Sequence, residues 1–301
     1  MWVGVAFLSA LLLGFYDVAK KRSLADNAVV AVLWLNTLFS TLIFLPVILD
    51  AELSLGWLDD IPIDSVSGSG EWHIFVVIKA AITLSSWLLG YYAIKHLPLT
   101  IVGPVNATRP VVVLLGALLL FGERLNVWQW GGVLLTIISL YLLSRAGRRE
   151  SIHFTSNRYV WALFAAMLLG AVSGLYDKYI ISTCGIDPLF VQSWFSLYQL
   201  IMMSIIALVV WMPRRAAEPF VWRWTIPLIS IFVSAADLCY YHALDADGSM
   251  IAVISMIRRS SVIVTFLCGA LLFGEKNLRA KFLDMLLILF GMVLLAVGSV
   301  S

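Results

Sequence analysis

Charge is scarce in this sequence. Only 13% of its 301 residues are Asp, Glu, Lys or Arg, about half of the roughly 25% usual in a soluble globular domain. Hydrophobic residues make up 61% and the mean hydropathy is +0.96, so the solvent for this chain is lipid. Long polar segments are also missing. The longest, residues 50–72, is shorter than any domain that folds by itself, which leaves no room for a catalytic ectodomain. Cysteine is limited to Cys184, Cys239 and Cys268, odd in number and without metal-ligand spacing, so neither a disulfide framework nor a zinc site is expected. No Walker loop, HExxH or serine elbow occurs, and with them go the signatures of a primary pump or a hydrolase. No enzymatic activity, cofactor, metal or nucleic-acid partner is expected. Residues 1–20 lack a basic leading region and a small-residue cleavage site, so no removed signal peptide is expected. The net charge of +2 selects no class of partner.

What is present is one apolar phrase written twice. Residues 116–123 read GALLLFGE and residues 269–275 read GALLFGE. Ala10-x-x-x-Gly14-Phe15-Tyr16-Asp17 returns as Gly170-x-x-x-Gly174-Leu175-Tyr176-Asp177, and Trp34 returns as Trp194, at a shift of 160. Trp72 and Trp224, like Glu123 and Glu275, correspond at a shift of 152. A constant shift through each block, with one deletion between blocks, marks an internal duplication of about half the chain.

Segments of about 20 apolar residues can cross a bilayer. Gly, Pro, Trp and charged residues bracket ten of them, near 2–20, 28–49, 73–95, 99–122, 127–144, 159–182, 188–212, 224–244, 249–273 and 281–300. Backbone groups in lipid must be satisfied internally, and the alternation of barrel strands is absent, so the spans are helices. The expected fold is an all-α integral membrane protein of ten transmembrane helices, arranged as a five-helix repeat over 1–144, a basic connecting loop over 145–158 and a second repeat over 159–301. Five is odd, so the second repeat enters from the opposite face and the halves are inverted. Joints after odd-numbered spans hold most of the Lys and Arg, among them Lys20, Lys21, Arg148, Arg149, Arg214 and Arg279, whereas even joints hold Arg124 alone. That bias places both termini outside. Trp72, Trp128, Trp130, Trp211, Trp222 and Trp224 stand at span ends as interfacial anchors.

The stretch from Tyr92 to Leu143, YAIKHLPLTIVGPVNATRPVVVLLGALLLFGERLNVWQWGGVLLTIISLYLL, with its Pro-containing helix, Gly-Glu-Arg corner and Gly-rich fifth helix, resembles the EamA branch of the drug/metabolite transporter superfamily. The resemblance extends over essentially the whole chain. It implies a secondary transporter with a central cavity between the halves, lined mainly by helices one, three, four, six, eight and nine. Two features depart from the pattern: Val262 stands where the first repeat has Pro110, and ten-helix relatives are usually drawn with cytoplasmic termini.

The few charges inside the spans are the candidate site. Arg109 lies about ten residues into the fourth span, and Arg258 and Arg259 nine and ten residues into the ninth. Each costs about 2.5–3.5 kcal/mol at a helix centre on insertion scales. Asp237, in the eighth span, can pair with one of them, leaving a surplus of about two positive charges. That surplus either binds carbonyls freed around Pro110 or meets an anionic guest, for which the planar guanidinium fork suits carboxylate or phosphate. Pro110 should break the fourth helix beside Arg109, and broken midplane helices are where transporters place substrates; Asn106 and Thr108 are within reach of the break. Lys79, six residues into the third span, either joins the site or snorkels to headgroups. Tyr92 and Tyr241, from the pairs Tyr91-Tyr92 and Tyr240-Tyr241, and Trp87 one turn earlier, are either cavity lining or packing. His242 reads as a satisfied interior group. Asp17 and Asp177, at equivalent positions, fall toward opposite faces and are gate or proton-coupling candidates; the competing reading pairs Asp17 with Lys20 or Lys21 and Asp177 with Lys178. The small-residue spacings from Ala10 to Gly14 and from Gly170 to Gly174 mark close helix packing, and Glu123 and Glu275 read as corner residues.

Together these point to a multi-pass carrier in the cytoplasmic (inner) membrane for a small polar, anionic metabolite, phosphorylated or carboxylated. Transport would proceed by alternating access, with proton or counter-substrate coupling open and the molecule a monomer or dimer. A flippase for a lipid with an anionic head group and an exporter of aromatic or drug-like compounds are the alternatives. A non-transporting membrane scaffold or sensor is the reading from a different class.

Overall fold

A computed structural model describes residues 2–57, 66, 67, 70–112, 126–148, 152, 154–245, 254, 257–275 and 278–300. Among these residues the chain is helical throughout, in ten helices: α1 (Trp2–Leu24), α2 (Val29–Leu53), α3 (Gly70–His96), α4 (Leu99–Ala107), α5 (Val127–Arg148), α6 (Arg158–Lys178), α7 (Pro188–Ile206), α8 (Thr225–Asp245), α9 (Ser261–Leu272) and α10 (Leu278–Val300). Each overlaps one of the ten expected spans, several running a few residues past its bounds. Seven helices among the described residues are long and apolar enough to cross a membrane. The expected corner at Glu123 lies outside the described residues.

Local chemistry sets the ends. Asp187 opens α7 by accepting from the N–H groups of Leu189 (2.7 Å) and Phe190 (3.3 Å), with Pro188 at the first helical position, where a missing donor costs nothing. Asn157 caps α6 through Tyr159 N (2.9 Å). Beyond their α-helical parts, α6 and α7 widen into single π turns at Tyr179–Thr183 and Ala207–Trp211.

The main packing partners join one half of the chain to the other: α1 lies on α8, α3 on α6, α2 on α7, α4 on α9 and α5 on α10. Exchanging the two halves maps this set onto itself. Lipid supplies no hydrophobic force between helices, so close backbone approach and polar bonds hold them. A Cβ on Gly14 would stand 2.4 Å from Cβ of Val264, and one on Gly132 would stand 2.7 Å from the carbonyl oxygen of Gly291. Hydroxyls stitch the same pairs: Ser9 donates to the Ala236 carbonyl (2.6 Å), Ser86 to that of Ala166 (2.7 Å) and Ser139 to that of Asp284 (2.7 Å).

One end of the bundle is fastened by a dense polar clasp. Lys21 donates to the carbonyls of Ile94 in the last turn of α3 (2.7 Å) and of Leu97 just past its end (2.6 Å), satisfying groups a helix end leaves open. Lys95 donates to Asn27 O (2.7 Å), and Asn27 exchanges bonds with the backbone of Val221 at 2.7 and 3.0 Å. Glu275 accepts from Leu99 N (2.6 Å), Thr100 N (2.8 Å) and Thr100 Oγ1 (2.5 Å), and buried Lys281 donates to Thr100 Oγ1 (2.8 Å). The corner after α9 thereby caps α4.

Trp128, Trp130, Trp222 and Trp224 are exposed as interfacial anchors should be. Trp72 and Trp211 are half-buried: Trp72 packs edge-on against Phe190, and Trp211 donates to Glu218 O at 3.2 Å in the segment that follows its helix. His242 is exposed, which corrects the expectation of an interior group: it follows buried Tyr241 and turns to the opposite face of α8.

Candidate substrate site

Two helix breaks frame the site. α4 stops at Ala107, Thr108 forms a turn, and helix resumes at Arg109. Thr108 N and Thr108 Oγ1 both bond Val105 O, at 3.2 and 2.7 Å, and Val111 N bonds Thr108 O at 3.0 Å. The same three bonds recur before α9: Ser260 N and Ser260 Oγ to Ile257 O at 3.0 and 2.6 Å, and Ile263 N to Ser260 O at 2.9 Å. Every residue is displaced by 152. The break expected at Pro110 is present, and a second exists without a proline, since Val262 occupies the matching position. The shared element is the hydroxyl residue before the break, which offers a carbonyl in the preceding turn an alternative to the helical ladder.

The arginines flank these breaks, Arg109 just after the first and Arg258 and Arg259 just before the second. Arg258 donates to Asp237 Oδ1 and its guanidinium carbon sits 4.2 Å from the ring centroid of Tyr240, so Asp237 and Tyr240, three apart on α8, hold it from two sides. Arg109 and Arg259 have no carboxylate within ion-pair distance among the described residues, and the Nε of each is buried without a partner. Arg109 and Arg259 lie within electrostatic reach of each other, of Arg258 and of Asp17. A Cβ on Gly170 would stand 2.4 Å from Arg109 Nη2, so the α6 glycine seats a side chain and does not serve helix packing, as the sequence had suggested; Gly174 faces open space.

Ion pairs bracket this centre along the bundle. Toward the clasped end, Lys20 pairs with Asp17 (2.9 Å) and lies 4.2 Å over the Tyr16 ring. Lys20 is buried within α1, not in the joint that follows it. Toward the other end, Lys79 donates to Asp177 Oδ1 (2.5 Å) and Tyr241 OH (2.8 Å) and lies 4.9 Å over Phe195. Headgroup snorkelling by Lys79 is therefore corrected: it is the tenth residue of α3, about 15 Å in at 1.5 Å per residue, and only 2% exposed. Asp177 likewise reaches across to α3 and does not pair along its own helix. Asp17, Asp177, Asp237 and Arg258 keep 12–17% of their side-chain surface accessible, so neighbouring side chains do not enclose them completely.

Tyr92 does not join this centre. It is half-buried beside the core and its carbonyl accepts from His96 Nδ1 (2.8 Å). Trp87 approaches it only through an edge-on contact with Phe195, at 6.3 Å between centroids. Asn106 is half-buried one turn before Arg109. Tyr240, named in the sequence only as the neighbour of Tyr241, belongs to it, and so does Lys20, whose pairing with Asp17 was the competing reading of that carboxylate.

A bundle of membrane-length apolar helices around a charged centre defines a multi-pass membrane protein. Residues 1–145 match the EamA-like transporter family. A stretch of 163 residues is 25% identical to an uncharacterized transporter of Archaeoglobus fulgidus, covering 54% of this chain and 53% of that one. Another of 72 residues is 35% identical to a probable 4-amino-4-deoxy-L-arabinose-phosphoundecaprenol flippase subunit, ArnE, of Pectobacterium atrosepticum, covering 24% of this chain and 61% of the relative. This chain thus spans only 53% and 61% of the lengths of these curated relatives. A solved crystal structure superposes with a TM-score of 0.65 over 98% of this chain and 96% of that one, at 17% identity, which shows a shared fold.

Proposed function

We propose that this protein is a secondary carrier for a small anionic metabolite, working by alternating access between two inverted five-helix repeats, 1–144 and 159–301, in a cytoplasmic membrane. The observation that carries this reading is the pair Arg109 and Arg259, held at mid-span beside two matched helix breaks without a carboxylate partner among the described residues. Two unpaired guanidinium groups in a low-dielectric interior are costly unless an anion visits them, and their forks fit carboxylate or phosphate. The self-consistent packing of the halves and the shift of 152 between the breaks support the repeat boundaries. Asp17 and Asp177 act as gate or coupling groups on either side of the anion. The loop charges favour termini outside, which a reporter fused at the C-terminus checks; a cytoplasmic signal reverses the orientation.

Uptake of phosphorylated and carboxylated solutes into proteoliposomes tests the main claim. Arg109→Ala and Arg259→Ala should each abolish uptake while the protein stays folded. Unchanged uptake in both removes the anion site. A second reading, flipping of a lipid with an anionic head group, is favoured by the 35% identity to the ArnE subunit; translocation of a phosphodiester lipid in the same liposomes, with soluble anions inert, would establish it instead.

A further inference from the structure

Charge counting narrows the guest further than its sign. Five cations line the centre, Lys20, Lys79, Arg109, Arg258 and Arg259, and three carboxylates answer them among the described residues: Asp17, Asp177 and Asp237. The three ion pairs are each neutral. Arg109 and Arg259 remain, one from each break, within electrostatic reach of each other and of Arg258.

Resting on the carrier reading above, we propose that the site is matched to a compact dianion, a phosphate monoester or a dicarboxylate, bound between Arg109 and Arg259. One guest then neutralises the whole surplus and bridges α4 and α9, the two broken helices. A monoanion leaves one guanidinium uncompensated inside the hydrocarbon slab, where a lone charge is expensive. A phosphodiester head group, with one negative charge, is such a monoanion, so the match separates this site from a flippase for phosphodiester lipids on chemical grounds. Arg258 takes no part in the bridge, because Asp237 and the face of Tyr240 already occupy it. Gly170 contributes by letting the Arg109 guanidinium press against α6 and stay in place for the guest.

The test uses the purified full-length carrier in detergent at pH 7.5, with binding read from tryptophan fluorescence. The probes are phenyl phosphate, close to two negative charges at that pH, succinate as a dicarboxylate, and phenyl sulfate, the same shape as phenyl phosphate with one charge. At least one dianion should bind about tenfold or more tightly than phenyl sulfate, and which one does so tells phosphate from dicarboxylate. In Arg259→Gln, which removes one positive charge, that preference should shrink severalfold while phenyl sulfate still binds. Equal affinity for all three probes overturns the charge match and leaves the anion site standing. A preference that persists undiminished in Arg259→Gln overturns the bridge. Failure of every probe to bind overturns both the match and the anion reading beneath it.

Discussion

Arg109 is pressed against Gly170, with no space for a side chain between its guanidinium and the backbone of α6: a Cβ there would meet Nη2 at 2.4 Å and Cζ at 2.5 Å. Gly170→Ala therefore has to move the guanidinium. Anion affinity should fall about tenfold, a loss of about 1.4 kcal/mol, while Gly174→Ala, with open space around it, should leave affinity unchanged. In an Arg109→Ala background the Gly170 effect should vanish, because contacting residues couple and independent ones add. Binding isotherms for the four variants check this.

Lys79 and Asp177 form a cross-helix pair in the bundle interior. Removing one partner strands the other charge, at about 3–5 kcal/mol, whereas replacing both with apolar residues is often close to neutral. Lys79→Met alone should lower thermal stability strongly in detergent, and Lys79→Met/Asp177→Leu should recover most of it. If the pair is also a coupling element, the double variant will be stable and will not transport. Melting curves and uptake measured side by side read both effects.

The hydroxyls of Thr108 and Ser260 bond the carbonyls of Val105 and Ile257 at 2.7 and 2.6 Å. Losing one such bond costs about 1 kcal/mol, too little to unfold the protein but enough to shift the balance between bent and straight helices. Under the carrier reading, Thr108→Val and Ser260→Ala should each change the maximal transport rate severalfold while leaving KM nearly constant, because each hydroxyl is already engaged by a carbonyl of the preceding turn. Initial-rate measurements at several concentrations separate the two constants.

Glu275 caps α4 from the corner after α9. Capping replacements by alanine typically cost about 1 kcal/mol, and a negative charge at a helix N-terminus adds about 0.3–1 kcal/mol. Glu275→Ala should be less stable than Glu275→Gln, which keeps one accepting oxygen but loses the charge. Thermal unfolding of both variants gives the order.

Helix number and span positions were legible in the sequence because lipid leaves the backbone one solution and Gly, Pro and Trp punctuate it. The arginines stood out for the converse reason, since charge in an apolar run is costly and easily seen. Lys79 was placed too shallow because α3 begins at Gly70, ahead of the first strongly apolar residue, and hydropathy does not see those early turns. Gly170 was taken for helix packing because the small-xxx-small spacing is the same whether a helix or a guanidinium fills the notch. The break at Ser260 was hidden for a related reason: proline announces its effect on a helix, and a serine does so only through a bond that coordinates reveal. Tyr91 and Tyr92 could not be told apart by spacing, and Tyr91, not Tyr92, sits beneath the Lys20 ammonium, 5.2 Å from its ring centroid.

Within five residues of α8, Asp237 and Tyr240 hold Arg258 while Tyr241 holds Lys79. Turning that helix about its own axis by a single position would unseat two neighbours at once, one next to α9 and one in α3. Any movement of α8 that released Arg258 would loosen the grip on Lys79 in the same stroke, so the two cations report to each other through a single turn of backbone.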